Sequence, residues 1–128
     1  MSADAAREWL SVIDDDLRQV VNNLDGPRPS PTGAAYHCQQ AAEKLVKALL
    51  VLLDQDFPRT HDIAALIGLI PPHHPLRNEL THFRQLTPYA VAYRYPAEDE
   101  WEKPDAKELR TWLNAIEQSF AKLRALVS

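Results

Sequence analysis

Glycine and cysteine are scarce in this chain of 128 residues, with three glycines and one cysteine. A sheet with many tight turns needs glycine, so the shortage argues against such a sheet. The lone Cys38 excludes a disulfide within the chain and a zinc site built from several cysteines. No apolar run approaches the length of about 20 residues that a membrane-spanning helix needs. The first residues also lack an apolar signal core. We therefore expect a cytoplasmic protein without a membrane segment.

The chain is acidic, with a formal net charge of -4. This balance argues against a uniformly basic nucleic-acid binder. The charge is unevenly spread, however, because residues 73–94 contain three arginines and three histidines against one glutamate. A local basic patch is therefore still expected there.

Apolar residues recur at helical spacing along most of the chain, and nearly all ten prolines lie between the repeating segments. The predicted helices run from about Ser2 to Leu24 and from Ser30 or Thr32 to about Asp54. A short third helix follows an N-cap at Thr60, a fourth begins near Pro75, and the last begins after Pro104. This pattern predicts an all-α fold, an up-and-down four-helix bundle with a short additional helix, in a single domain over residues 1–128.

The second predicted helix carries a dense polar run, Gln39, Gln40, Glu43, Lys44 and Lys47. Glu43 and Lys47 are four residues apart and form a favourable ion pair on a helix. The run either solvates one face of the helix, or it caps a neighbouring loop or meets a second subunit. His61 is expected to donate to a buried acceptor such as Glu43.

Two clusters have the composition of metal ligands but not the spacing. Asp14, Asp15 and Asp16 are consecutive on a helix, so they fan apart and are expected to face mostly solvent. His73 and His74 have no carboxylate or cysteine at ligand spacing. No metal site and no cofactor are therefore predicted.

Arg77 and His82 form the one pair with the composition of a catalytic site. Histidine transfers protons, and arginine stabilises the negative charge that develops on phosphate during RNA cleavage without a metal. A spacing of five residues places the two side chains only loosely on one face of a helix. The alternative is that both are ordinary helix residues.

Three motifs in order, "QQAAEKLVKALL", "PRTHDI" and "YAVAYRYP", closely resemble the HEPN domain family over nearly the whole chain. The positions that match the family pattern are Gln40, Glu43, Lys44, Lys47, Thr60, His61, Asp62, Arg94, Tyr95 and Pro96. By this resemblance, Glu43 pairs with Arg94 or His61 where the helices meet. The aromatic segment around Tyr95 is expected to be packed.

The resemblance implies a helical bundle that is usually dimeric and is often encoded beside a minimal nucleotidyltransferase. The leading hypothesis is a homodimeric binding module that partners a nucleotidyltransferase, as in a toxin–antitoxin pair, and contacts a nucleotide or nucleic acid. The alternative is a metal-independent endoribonuclease toxin that uses Arg77 and His82. Leu50, Val51 and Leu53 lie off the main apolar stripe of the second helix, so that helix is predicted to carry the dimer interface.

Overall fold

The computed structural model describes residues 2–92 and 104–128. Helices of 24, 22 and 22 residues dominate it, which confirms the predicted all-α class. In chain order the elements are α1 (Ser2–Asp25), α2 (Pro31–Leu52), α3 (Ile63–Ile67), α4 (Arg77–Thr81), a 3₁₀ helix (His82–Leu86), α5 (Tyr89–Ala92) and α6 (Ala106–Val127).

A tight connection turns α1 back into α2. The Ser30 side chain caps α2 by accepting a hydrogen bond from the Gly33 backbone N–H at 3.1 Å. Pro31 occupies the first turn, where its missing N–H costs nothing. A Cβ on Gly33 would lie 3.0 Å from the Asn23 side chain, so glycine lets the two helix ends approach closely.

Helix α6 runs antiparallel to α1, as contacts at both ends show. Near the start of α6, Arg110 binds Asp25 at the end of α1. Near the other end, Arg7 donates to the Val127 carbonyl at 3.1 Å. The core lies between the three long helices, and its largest fully buried members include Ile13, Leu45, Leu49, Leu109 and Ile116.

Short helical segments, rather than a fourth long helix, close the remaining side of the bundle. We call this side, formed by residues 63–92, the fourth side. Pro71, Pro72 and Pro75 lie between α3 and α4, where proline cannot continue a helix. The apolar side chains of this side are nevertheless buried: Leu76, Leu80, Phe83 and Leu86. Asp62 caps α3, whereas Thr60 accepts a hydrogen bond from the Asp62 backbone, so the prediction of Thr60 as the N-cap is wrong.

Two further expectations need correction. Asp15 is exposed as expected, but Asp16 is buried and faces α2. Leu50, part of the motive for a dimer interface on α2, is fully buried within its own chain. Val51 is half-buried and Leu53 is 37% exposed, so a dimer interface on α2 stays a prediction that rests on these two residues.

None of the described helices is both long and apolar enough to cross a membrane. The predictions for Arg94, Tyr95 and Pro96 fall outside the described residues.

The buried thiol of Cys38 gives a direct test of this packing. Burial raises the pKa of Cys38 to about 12, because the thiolate would lose its hydration. We expect Cys38 in the folded protein to resist a thiol reagent such as DTNB at pH 8 and to react fully in guanidinium chloride. Rapid, stoichiometric labelling of the native protein, read from absorbance, would contradict the burial of Cys38 between the helices.

Candidate functional site

The Glu43 carboxylate is the centre of the polar run on α2. Its side chain is 3% exposed and has three hydrogen-bond partners. Gln39 donates at 2.9 Å and His61 Nδ1 lies 2.8 Å away, both at Oε1, while Lys47 Nζ binds Oε2 at 3.0 Å. The expected contact between Glu43 and His61 therefore forms, as does the ion pair with Lys47. Together these contacts tie the loop before α3 to the middle of α2.

A second buried carboxylate, Asp16, has the same kind of partners. It lies on α1, is 7% exposed, and receives Lys44 Nζ at 2.6 Å. His37 Nδ1 lies 2.9 Å from its other oxygen. Each acid thus pairs with one lysine and one histidine. Both partners of Asp16 lie on α2, whereas Glu43 has Lys47 on its own helix and His61 in the loop before α3. We call these the Asp16 cluster (Asp16, His37, Lys44) and the Glu43 cluster (Gln39, Glu43, Lys47, His61).

The two clusters occupy the flanks of α2, and Gln40 extends the Glu43 cluster toward the surface. Its amide donates to the Gln39 side-chain oxygen at 2.6 Å. Of the Glu43 partners, His61 is the most accessible, with 58% of its side chain exposed, whereas Lys47 is mostly covered. Because the carboxylates lie beneath their partners, the arrangement joins helices and leaves no acid open to a ligand.

The geometry decides between the two interpretations of the polar run. A solvated face would leave Glu43 and Lys47 exposed, but both are largely buried. The run therefore caps a neighbouring segment, namely the loop that carries His61. Removing one member of a buried pair costs about 3–5 kcal/mol, because the remaining charge loses its partner.

Arg77 lies at the start of α4 and is turned toward the preceding loop. Its Nε donates to the Ile70 carbonyl at 3.2 Å. The Thr81 hydroxyl in turn donates to the Arg77 carbonyl at 2.7 Å. Both contacts stabilise the short helix and its entry, which gives Arg77 a structural role.

His82 is exposed and lines a shallow groove of about 250 Å³ between α6 and the fourth side. Arg77 does not line this groove. Glu79 lies in it and binds Lys122 at 2.7 Å and Ser119 at 2.6 Å. Burial by itself raises the pKa of Glu79, but the hydrogen bonds from Lys122 and Ser119 outweigh it and hold that pKa below its ordinary value of 4.5.

Sequence reasoning missed Asp16 and His37 as members of the site. Asp16 was hidden because its two neighbouring aspartates suggested a solvated face. A signal was present, however: Asp16 is three residues after Ile13 and four before Val20, both fully buried, so it borders the apolar stripe of α1. In the described part of the chain, no three metal-ligating side chains converge on one point.

Truncating Glu43 tests the Glu43 cluster. We expect Glu43→Ala to lower the free energy of unfolding by about 3–5 kcal/mol, because Lys47 and His61 lose a buried partner. Exposed Glu8 on α1 is the matched control, and Glu8→Ala should change stability by less than about 0.5 kcal/mol. Urea denaturation followed by circular dichroism measures both. Equal midpoints for the two variants would contradict a structural role for Glu43.

The lowered pKa of Glu79 predicts a pH-dependent contribution to stability. A carboxyl whose pKa falls on folding stabilises the fold above its unfolded pKa, and this contribution disappears as the pH drops through the folded pKa. We expect Glu79→Gln to be less stable than the wild type by under about 1 kcal/mol at pH 7, since the pair is partly exposed. The gap should close below pH 4. Thermal melts across pH 3 to 7 check this, and a gap that widens on acidification would contradict it.

One of three comparisons with known proteins found a match. The family model described as the HEPN domain matches residues 6–122, nearly the whole chain. No curated protein and no solved structure matches this chain. The match includes most of α1, all of α2, the loop with His61 and most of α6, so it covers the residues of both buried clusters. The chain therefore belongs to the HEPN domain family.

Proposed function

We propose that this protein is a cytoplasmic, single-domain HEPN-type binding module that forms a homodimer and partners a nucleotidyltransferase in a toxin–antitoxin-like pair. Family membership supports a helical module with a function related to nucleic acids. The observation that carries the choice of a binding module over an enzyme is the separation of Arg77 from the groove that His82 lines.

Metal-independent RNA cleavage needs a proton-transfer group and a phosphate clamp on the same substrate. Within one protomer, the Arg77 Nε is bonded to the Ile70 carbonyl. The cation that shares the groove with His82 is Lys122, and it is bound to Glu79. Because Glu79 neutralises Lys122, that cation is not free to clamp a phosphate beside His82. The electrostatics of the groove therefore argue against cleavage at His82.

The motif residues on α2 act as support in this proposal. Glu43 is buried and saturated with donors, and Lys44 and Lys47 are each bound to a carboxylate. Gln40 and His61 are the more accessible members. Nucleotide or RNA contacts come instead from the basic segment 73–94, where His73 and Arg84 are exposed.

The alternative function, a metal-independent endoribonuclease toxin, is favoured by one observation. The His82 ring is exposed in a groove and makes no hydrogen bond with the residues that the structure describes. A histidine in this position is able to accept a proton from a substrate hydroxyl. Arg77 would then have to leave the Ile70 carbonyl to reach the same phosphate.

An RNA cleavage assay separates the two functions. We expect the wild type to leave labelled single-stranded RNA intact in the presence of a chelator. His82→Ala and Arg77→Lys test the pair, and His73→Ala is the matched control at an exposed histidine. Cleavage by the wild type and His73→Ala that is lost in His82→Ala and Arg77→Lys would establish the enzyme and overturn the binding module. Equal cleavage by all four proteins would indicate a contaminating ribonuclease.

The partner is tested by co-expression. The tagged chain is produced with each minimal nucleotidyltransferase of its source genome in turn. We expect one of them to co-purify as a stoichiometric complex that survives gel filtration in high salt. Glu43→Gln, measured beside the wild type, reports whether the complex needs the intact support of α2. The absence of any complex with every candidate would refute the pairing.

A further inference from the structure

The groove that His82 lines has an aromatic floor. Trp112 of α6 is half-buried there, and its ring centre lies 6.1 Å from that of Phe83, with the two rings tilted by 55°. Ala115 comes one turn later on α6, and its small side chain leaves a depression beside the indole. A flat aromatic surface at the bottom of a groove is suited to the stacking of a planar ring. We call this surface the Trp112 groove and define it by His82, Phe83, Trp112, Ala115 and Gln118.

The rim of the Trp112 groove has hydrogen-bonding groups that the fold does not use. Gln118 is exposed on α6 and His82 is exposed on the fourth side, and neither makes a hydrogen bond with the residues that the structure describes. A glutamine amide has both donors and an acceptor, and so does a neutral imidazole. A ligand that fills the groove must pair with these groups, because covering them without a partner costs free energy.

The ions of the groove neutralise each other. Lys122 Nζ binds one oxygen of Glu79 at 2.7 Å. Ser119, which is 2% exposed, donates to the other oxygen at 2.6 Å. The groove therefore offers neither a free lysine to a phosphate nor a free carboxylate to a cation. Its ligand is expected to be uncharged where it meets the protein.

A nucleobase has the properties that this groove requires. The volume of about 250 Å³ is below the range of about 300–1,000 Å³ for drug-sized ligands, so the groove has room for a single ring system. Every nucleobase has a planar face for stacking, hydrogen-bonding groups at its edge and no charge. An apolar side chain of a partner protein would instead cover Gln118 and His82 without satisfying them.

We propose that the Trp112 groove is a subsite for one uncharged nucleobase, which stacks on the Trp112 indole and bonds Gln118 and His82 through its edge. This inference rests on the nucleotide or RNA contact of the proposed function and adds to it a recognition element that does not depend on phosphate. The base belongs either to a free nucleotide or to single-stranded RNA whose phosphates contact the basic segment 73–94. Two ligand series distinguish these sources.

Two alanines on α6 give a matched pair of variants. Ala115 lies in the groove, whereas Ala121 is exposed on the same helix and does not line it. Ala115→Leu fills the depression and leaves every hydrogen-bonding group of the groove in place, and Ala121→Leu adds the same atoms outside it. Gln118→Ala, at an exposed position, removes one edge contact and keeps the floor. Thermal melts check that the three variants are folded.

Titration with adenosine and with AMP, followed by nuclear magnetic resonance, is the first ligand series. We expect both to shift the indole N–H signal of Trp112, which Trp112→Phe identifies. Their dissociation constants should agree within about twofold, because phosphate contributes nothing at this subsite. Ala115→Leu and Gln118→Ala should each weaken binding at least about fivefold, as the loss of one stacked base does, and Ala121→Leu should not. Binding of AMP without binding of adenosine would overturn an uncharged subsite.

Single-stranded oligoadenylate, followed by fluorescence anisotropy, is the second series. If RNA is the source, it binds more tightly than adenosine, and Ala115→Leu weakens it by the same factor at low and high salt, since stacking releases no counterions. If a free nucleotide is the source, adenosine binds and oligoadenylate does not.

Three other outcomes would overturn the subsite, and they differ in what remains of the proposed function. RNA bound equally by the wild type, Ala115→Leu and Gln118→Ala would leave only the phosphate contacts of the basic segment. Binding of no ligand would also remove the nucleic-acid contact, while co-expression would still decide the pairing with a nucleotidyltransferase. Loss of that complex in Ala115→Leu, without any effect on ligands, would make the groove a protein-docking surface.

Discussion

The position of the bundle's fourth side depends on the buried carboxylate of Glu43. An acid in the middle of the most buried helix is unfavourable unless donors surround it, and the chain supplies them from three places. Gln39 and Lys47 come from the adjacent turns of α2, and His61 comes from the loop before α3. The loop is thereby held against α2, which positions α3 and the short segments after it over an apolar surface that would otherwise be exposed.

The Asp16 cluster does the same between α1 and α2. Hydrophobic packing alone fixes helix positions loosely, since apolar contacts are not directional. A buried acid that must meet one lysine and one histidine is directional, so it specifies how far each helix slides and turns against the next. Asp16 sets α1 against α2, and Glu43 sets α2 against the fourth side. We regard specificity of packing, rather than added stability, as the main effect of the two clusters.

Whether a feature of this structure could be predicted from the sequence depends on how far apart along the chain the interacting residues are. The long helices were predictable to within about two residues, because apolar periodicity and a capping residue such as Ser30 are local signals. The pairing of Glu43 with Lys47 was predictable for the same reason. Asp16 with His37 was not, since a contact 21 residues apart depends on how α1 and α2 align. The prolines between α3 and α4 are visible in the sequence. That they divide the fourth side into short helices could not be predicted, because the division depends on the residues that pack beneath them.

Function in this fold is therefore decided on surfaces rather than inside the bundle. The polar residues that carry the family resemblance on α2 are occupied with each other, so they define the shape of the domain rather than its ligand. The exposed polar groups lie on the fourth side instead, where His82 stands beside the bound pair of Glu79 and Lys122, and where His73 and Arg84 face solvent.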